Sequence, residues 1–329
     1  LSTRIYLDHA ATSPLRPEAR AAMEDGFALW ANPSSPHGEG RKAKAALEDA
    51  RDRIKAALGW SGELIFTSGA SEALAIGLQQ AKVDRRIVSA VEHDAVFRAA
   101  PDSEISSDDT VFDDRTVLAV QHVNSETGVI NPVDQLAQTI RPTGALVLSD
   151  CSQSAGKLDL PDADMLVISA HKFGGPIGIG ALLVRDFNML EPIGGHERGY
   201  RQGTENLPGA MGMAAALEAG AWATTPDDRA KFAERMAADT LSIGDQADYI
   251  FAITHPSNSA QALLIRLDGQ GFAVSAGSAC SSGTLKKSRV LDAFGVSDDV
   301  AARTIRVSIG WNTTPEDLER FADAWGSLS

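Results

Sequence analysis

The sequence predicts an α/β protein with a large domain on a mainly parallel sheet and a smaller α/β domain toward the C-terminus. Three observations carry that prediction. Short apolar runs alternate with helical segments between residues 63 and 185, as parallel sheets covered on both faces require. Most of these runs end in a cluster of polar residues. A second set of strands and helices begins after Pro226.

The elements follow in order. Lys42 to Gly59 carries apolar residues at helical spacing, and Gly59 is its stop. Glu63-Leu-Ile-Phe-Thr67 is a strand, and SGASEALAIGLQQA is a turn feeding a helix. RRIVSA, TVLAVQHV, ALVLSD, DMLVIS and GALLVR read as further strands. Leu207 to Ala223 is an alanine-rich helix, and a charged helix starts after Thr224-Thr-Pro226. YIFAI and TIRVSI are strands of the second set, whereas ALLIRL fits a strand or a helix equally well. PEDLERFADAWGSL closes the chain as a helix with proline in its first turn. The domain boundary is placed near Pro226, with residues 13–225 in the large domain and 1–12 with 226–329 in the small one.

A chain of 329 residues with 43% hydrophobic content can bury a sizeable core. A formal charge of -14 argues against a nucleic-acid-binding surface. No stretch has the length of a membrane span, and the first residues read as neither signal peptide nor anchor. Two cysteines, Cys151 and Cys280, outside any CxxC or Cys/His cluster, fit a reducing cytoplasm and offer no metal site.

In open α/β sheets the active crevice lies beyond the carboxyl ends of the strands. Here those ends supply Thr67-Ser-Gly-Ala-Ser71, Glu92-His93, His122 with Asn124 and Ser125, Asp150 with Cys151 and Gln153, and Ser169 with His171 and Lys172. Thr67 to Ser71 reads as an ordinary strand-to-helix turn or as an anion cradle of helix amides and hydroxyls. It is neither a Walker loop nor GxGxxG. Asp150 is a helix cap or a fixed carboxylate in the crevice. His93 is a capping histidine or a flat ring available for stacking and proton exchange. Lys172, ringed by small and polar residues, could form a Schiff base with a carbonyl cofactor. Pyridoxal 5'-phosphate (PLP) needs such a lysine, a carboxylate for its pyridine nitrogen, a phosphate cradle and a stacking group, four things that this edge could offer.

In YLDHAAT, NPSSPHGEGR, FTSGASE, VEHDAV, HVNSETG, SDCSQSAGK, SAHKFGGPIGIGALLVR, GGHERGYRQGTENLPG, SAGSACSSG and IRVSIGWNTT, the chain resembles the class V aminotransferase fold family of PLP enzymes. Within that family it is most similar to cysteine desulfurases of the NifS/IscS type. The resemblance implies PLP-dependent transferase fold type I with a seven-stranded sheet. It also implies roles. Lys172 would hold the cofactor aldehyde and then move the substrate Cα proton. Asp150 would pair with the pyridine nitrogen, Gln153 with the ring oxygen, and His93 would stack and assist acid–base steps. Gly69, Ala70, Ser71, Ser169 and His171 would bind phosphate. Thr204 would reach a partner subunit's phosphate in a homodimer whose sites complete one another. Arg306, with Asn124 and Ser125 nearby, would hold the substrate carboxylate. Cys280, among small polar residues that suit a loop carrying a thiol, would be the sulfur-accepting nucleophile, and Cys151 a compact filler.

The implied reaction converts L-cysteine to L-alanine. Sulfur passes to a persulfide on Cys280 and on to an acceptor such as an iron–sulfur scaffold, for iron–sulfur cluster or thio-cofactor biosynthesis. Two alternatives stay open: another class V PLP enzyme (selenocysteine lyase, cysteine sulfinate desulfinase or aminotransferase), and an inactive scaffold of the same fold. The chain departs from the family pattern by its shortness, by Ser71 in a threonine place, and by Ser125 where a second asparagine is usual. Lys286, Lys287 and Arg289 are a solvated face or a basic patch beside the cysteine loop.

Overall fold

The computed structural model describes residues 4–276 and 288–328. Among these the strands run in chain order as β1 (Ile5–Tyr6), β2 (Glu63–Thr67), β3 (Arg85–Val88), β4 (Glu104–Ile105), β5 (Thr116–Ala119), β6 (Leu146–Asp150), β7 (Met165–Ser169), β8 (Gly180–Val184), β9 (Ile250–Thr254), β10 (Phe272–Ala273) and β11 (Thr304–Ser308). The described residues divide into two compact units, one of 14–122 with 131–220, the other drawn from 1–13, 123–130 and 221–329. This differs from the sequence-based division mainly in the segment 123–130, which joins the second unit and brings Asn124 and Ser125 with it.

The first unit is built on a seven-stranded sheet in the order β2-β8-β7-β6-β5-β3-β4. All neighbours are parallel except β8, which runs antiparallel to both β7 and β2. β2 therefore points the same way as β3, β5, β6 and β7, and their carboxyl ends share one edge. The apolar runs are buried on both faces with a strict period of two. Leu64, Phe66, Ile87, Leu118, Val147, Leu166, Ile168, Ala181 and Leu183 face one core. Ile65, Val88, Val117, Ala119, Leu148, Met165, Val167, Leu182 and Val184 face the other.

Six of the seven strands coincide with apolar runs; β4 has only two residues, both exposed, and leaves no such signal. Helix α1 (Pro17–Ala28), α2 (Gly38–Ala57) and a later helix Leu207–Ala219 lie on the first face, and α3 (Ala70–Gln79) with α4 (Asp94–Ala99) on the second. α2 buries Gly40, Ala43, Leu47, Ala50, Arg51 and Ile54, the three-and-four spacing of a one-sided helix. The Leu207 helix ends at Ala219, capped by Gly220 with φ +53, four residues short of the sequence reading.

In the second unit β9 and β11 pair antiparallel, and β1 pairs with β10 in parallel. Helices Pro226–Met236 and Pro315–Gly326 both start with proline behind a threonine capping box, Thr225 with Asp228 and Thr314 with Asp317. Phe232, Phe251, Phe272, Phe321 and Trp325 pack ring against ring at their base. The ambiguous ALLIRL stretch is helical, within Ala260–Gly269, because Ser259 caps it through the amide of Ala262.

Candidate active site

The turn after β2 is fixed by two glycines. Gly69 has φ +151, a backbone setting that side chains rarely adopt. α3 starts at the next residue, so its first-turn amides project beyond the strand end. Gly180 opens β8 directly between Thr67 and Ser169. A Cβ at Gly180 would lie 2.6 Å from the carbonyl oxygen of Ile168 and 2.8 Å from Cα of Gly69. Both obstacles are backbone, which cannot swing aside. Gly180→Ala is expected to destabilise the protein by about 1–3 kcal/mol, read as a lowered melting temperature.

Ser169, 2% exposed, ends β7 and precedes a single 3-10 turn, Ala170–Lys172. The amide of Ala170 donates to Ile179, which holds the turn against the start of β8. His171 and Lys172 are thus presented, half-buried, at the sheet edge. Asp150 ends β6 and is 9% exposed; its Oδ1 accepts from the amide of Ser152 at 2.9 Å, and Gln153 is buried beside it. His93 caps α4, its Nδ1 accepting from the amide of Ala95 at 3.2 Å. That bond leaves the proton of the neutral ring on Nε2.

Electrostatics draws these groups together. His93 keeps a solvent-exposed edge, yet crowding around the ring holds its pKa below the ordinary value. Asp150 opposes that shift, and the positive charge of Lys172 adds to it. His171 is pushed down to about 4 by burial and then by Lys172 and Lys157. Lys157 is itself lowered to about 7 by burial and by Lys172. Sequence reasoning assigned Lys157 no role; its signal was its place in SDCSQSAGK, three residues after Ser154, whose carbonyl accepts from the Lys157 amide. Two amines and an imidazole in one partly desolvated corner form a site suited to a multiply charged anion.

Below about pH 6.5 the depressed histidines contribute to the pH response of the cofactor-free protein. Unfolded histidines titrate near about 6.5. His171, His93 and His122 all lie below their ordinary values in the folded state. As pH falls from about 6.5 toward 4, the unfolded chain gains protons that the folded chain refuses, so stability falls. Melting curves across that range should show the decline, and His171→Gln should flatten it.

In the second unit Arg306 lies on β11, 6% exposed. Its Nη1 donates to the carbonyl oxygen of Ser125 and its Nη2 to Oδ1 of Asp8, each at 2.8 Å, while the buried Nε meets no acceptor among the described residues. Asp8 was not among the residues singled out from sequence, although it stands in YLDHAAT. The Oδ1 of Asn124 accepts from the amides of Glu126 and Thr127 and from the Thr127 hydroxyl, which shapes the 123–130 loop. Thr204 is exposed on the first unit. Cys280, Lys286 and Lys287 lie outside the described residues, while Arg289 is exposed at the start of a short helix. Cys151 is fully buried and its thiol is pushed up to about 12 by that burial, so it stays protonated and unreactive.

A glycine turn at a helix N-terminus, a lysine and a carboxylate share one carboxyl edge of a parallel sheet. The model of the aminotransferase class-V family matches residues 5–107 and 98–321, and the chain belongs to that family, whose cofactor is PLP. The chain is 32% identical to a cysteine desulfurase IscS of Dictyoglomus turgidum, over 98% of this chain and 94% of that one. The match spreads this 329-residue chain across 371 residues, so the relative is longer within the aligned region. Among solved structures, a NifS-like protein superposes with a TM-score of 0.87 at 26% identity, covering 99% of both chains. A structure titled SspA in complex with cysteine gives 0.79 at 27% identity, covering 95% of this chain and all of that one.

The residues present fit the cofactor. Gly69 and Gly180 leave a backbone cradle that larger residues would distort, and Asp150 is a buried acceptor within electrostatic reach of His93.

Proposed function

We propose that the chain acts as a cysteine desulfurase, converting L-cysteine to L-alanine and passing the sulfur to Cys280. PLP, when bound, supplies an electron sink for the charge left on the substrate Cα. Asp150 would hold the pyridine nitrogen, Gln153 the ring oxygen, His93 the ring face, and Gly69, Ala70, Ser71, Ser169 and His171 the phosphate. Lys172 would tether the cofactor when the enzyme rests, then take the Cα proton and return it during turnover. Neutral His93, protonated on Nε2, suits a stacking partner that can also donate that proton.

The guanidinium of Arg306 would hold the substrate carboxylate. The thiolate of Cys280 attacks the substrate sulfur, the Cβ–S bond breaks with its electron pair going to Cβ, and Cβ takes up a proton equivalent to the one lost from the Cys280 thiol. The products are L-alanine and a persulfide on Cys280, with no external oxidant or reductant. Thr204, exposed on the first unit, suits contact with a second copy in a homodimer. The persulfide sulfur would go to a protein thiol, such as that of an iron–sulfur scaffold. Among the described residues no helix is long and apolar enough to cross a membrane, in keeping with the cytoplasmic location proposed here.

The observation that carries the reading is that Asp150 ends β6 and Lys172 follows the end of the adjacent parallel strand β7, with His93 capping the helix after β3, which puts a carboxylate, an amine and a ring at one carboxyl edge. The test is paired: L-alanine formation from L-cysteine, and mass spectrometry of the Cys280 peptide for a gain of one sulfur. Alanine formation without that gain, under single-turnover conditions and without added thiol, would overturn the persulfide step.

A further inference from the structure

Residues 193–203 fold into a small self-bonded hairpin. The amides of Ile193 and Gly194 both donate to Gly199, and that of His196 donates to Arg201. Inside it, Glu197 and Arg198 have φ of 46° and 57°. Neither is glycine, so the turn is strained and something must hold it. Glu197 supplies that hold. Its carboxylate, 1% exposed, receives Nη1 and Nη2 of Arg51 at 2.8 and 3.0 Å. The same carboxylate accepts from the amide of Phe66 at 2.8 Å, and Arg51 donates to the carbonyl of Leu64 at 2.6 Å. Phe66 and Leu64 lie on β2, an edge strand of the sheet. The ion pair thus takes the place of a missing neighbour strand, satisfying one donor and one acceptor.

The hairpin reaches the same turn from its other side. Nε of Arg201 donates to Oε1 of Glu72 at 3.0 Å, and Oε2 of Glu72 accepts from the amide of Ser68. Glu72 lies in the first turn of α3, just past Gly69, Ala70 and Ser71. Its carboxylate closes the turn but sets a negative charge beside a helix N-terminus otherwise suited to an anion. Arg201 neutralises that charge.

We propose that the 193–203 hairpin is a brace for the phosphate-binding turn, with Glu197 and Arg201 as its positioning residues. Glu197 fixes the strand entering the turn. Arg201 lets Glu72 close the turn without repelling a phosphate. The proposal rests on the reading that Gly69, Ala70 and Ser71 hold the phosphate of PLP.

The experiment titrates PLP and pyridoxal, which lacks the phosphate, into cofactor-free wild type, Arg201→Met, Glu72→Gln and the double variant. Binding is followed by visible absorbance, with circular dichroism as the check on folding. Arg201→Met should weaken PLP binding about tenfold while leaving pyridoxal binding unchanged. Adding Glu72→Gln should recover most of that loss, because the uncompensated charge is gone while an amide oxygen remains to accept from Ser68. Glu197→Asp, which keeps the charge but shortens the reach, should weaken PLP more than pyridoxal. Equal weakening of both ligands by Arg201→Met, or no recovery in the double variant, would overturn the brace. A wild type that binds pyridoxal and PLP equally would instead overturn the phosphate reading beneath it.

Discussion

Lys172→Ala is expected to abolish L-alanine formation from L-cysteine, by at least about 10²–10⁴-fold from the loss of a positioned acid–base group alone. The loss should be accompanied by disappearance of the visible absorbance of lysine-linked PLP. Cofactor held through its phosphate should still copurify, because the turn at Gly69 does not depend on the amine. A second signature separates this from simple unfolding. The charge of Lys172 helps depress both His171 and Lys157. Without it, the imidazole of His171 should titrate closer to its ordinary range, which histidine NMR can follow in the cofactor-free protein. Hydrogen–deuterium exchange at Cα of L-cysteine in D₂O gives a direct reading of the proton step and should vanish. Unchanged exchange would place the base elsewhere and remove Lys172 from the reaction.

Most of the large sheet could be read from the chain because its strands are buried on both faces. A run such as Met165–Ser169 leaves an uninterrupted apolar signal bounded by polar ends. The two-residue strands broke that rule. Ile5–Tyr6 and Phe272–Ala273 pair with each other across most of the chain, a non-local partnership that local pattern does not encode. The carboxyl-edge residues could be read because each ends an apolar run or follows one within a few residues. Asp8, Arg51, Lys157 and Glu197 escaped because their significance is relational. Arg51 looks like one more charge on a mixed-charge helix until Glu197, 146 residues later, is placed against it. Glu197 itself sits among glycines, where a loop is the natural reading, and only its left-handed φ and its burial reveal the anchor. The segment 123–130 illustrates the same limit. Its sequence continues the TVLAVQHV run that holds β5, but its main chain bonds to residues of the second unit, Ile130 to Asp245 and Ala247 to Gly128.

Cys280→Ser is expected to cost on the order of 10⁴-fold or more in alanine formation, the scale on which removal of a nucleophile acts. A serine hydroxyl can be placed where the thiol was, but it forms no stable bond to a transferred sulfur. Cys151 cannot compensate, because burial keeps its thiol protonated well above any working pH. Cys151→Ala should therefore leave turnover within a few-fold of wild type, and its thiol should resist alkylation in the folded protein. The two large-effect variants divide the reaction between them. Cys280→Ser should retain Cα hydrogen exchange with L-cysteine, since Lys172 is untouched, yet release neither alanine nor persulfide. Lys172→Ala should lose exchange and products together. If Cys280→Ser instead forms alanine at the wild-type rate with a dithiol present, sulfur leaves the substrate without an enzyme thiol. The chain would then act as a lyase, with Lys172 and Asp150 keeping their roles and the persulfide step removed.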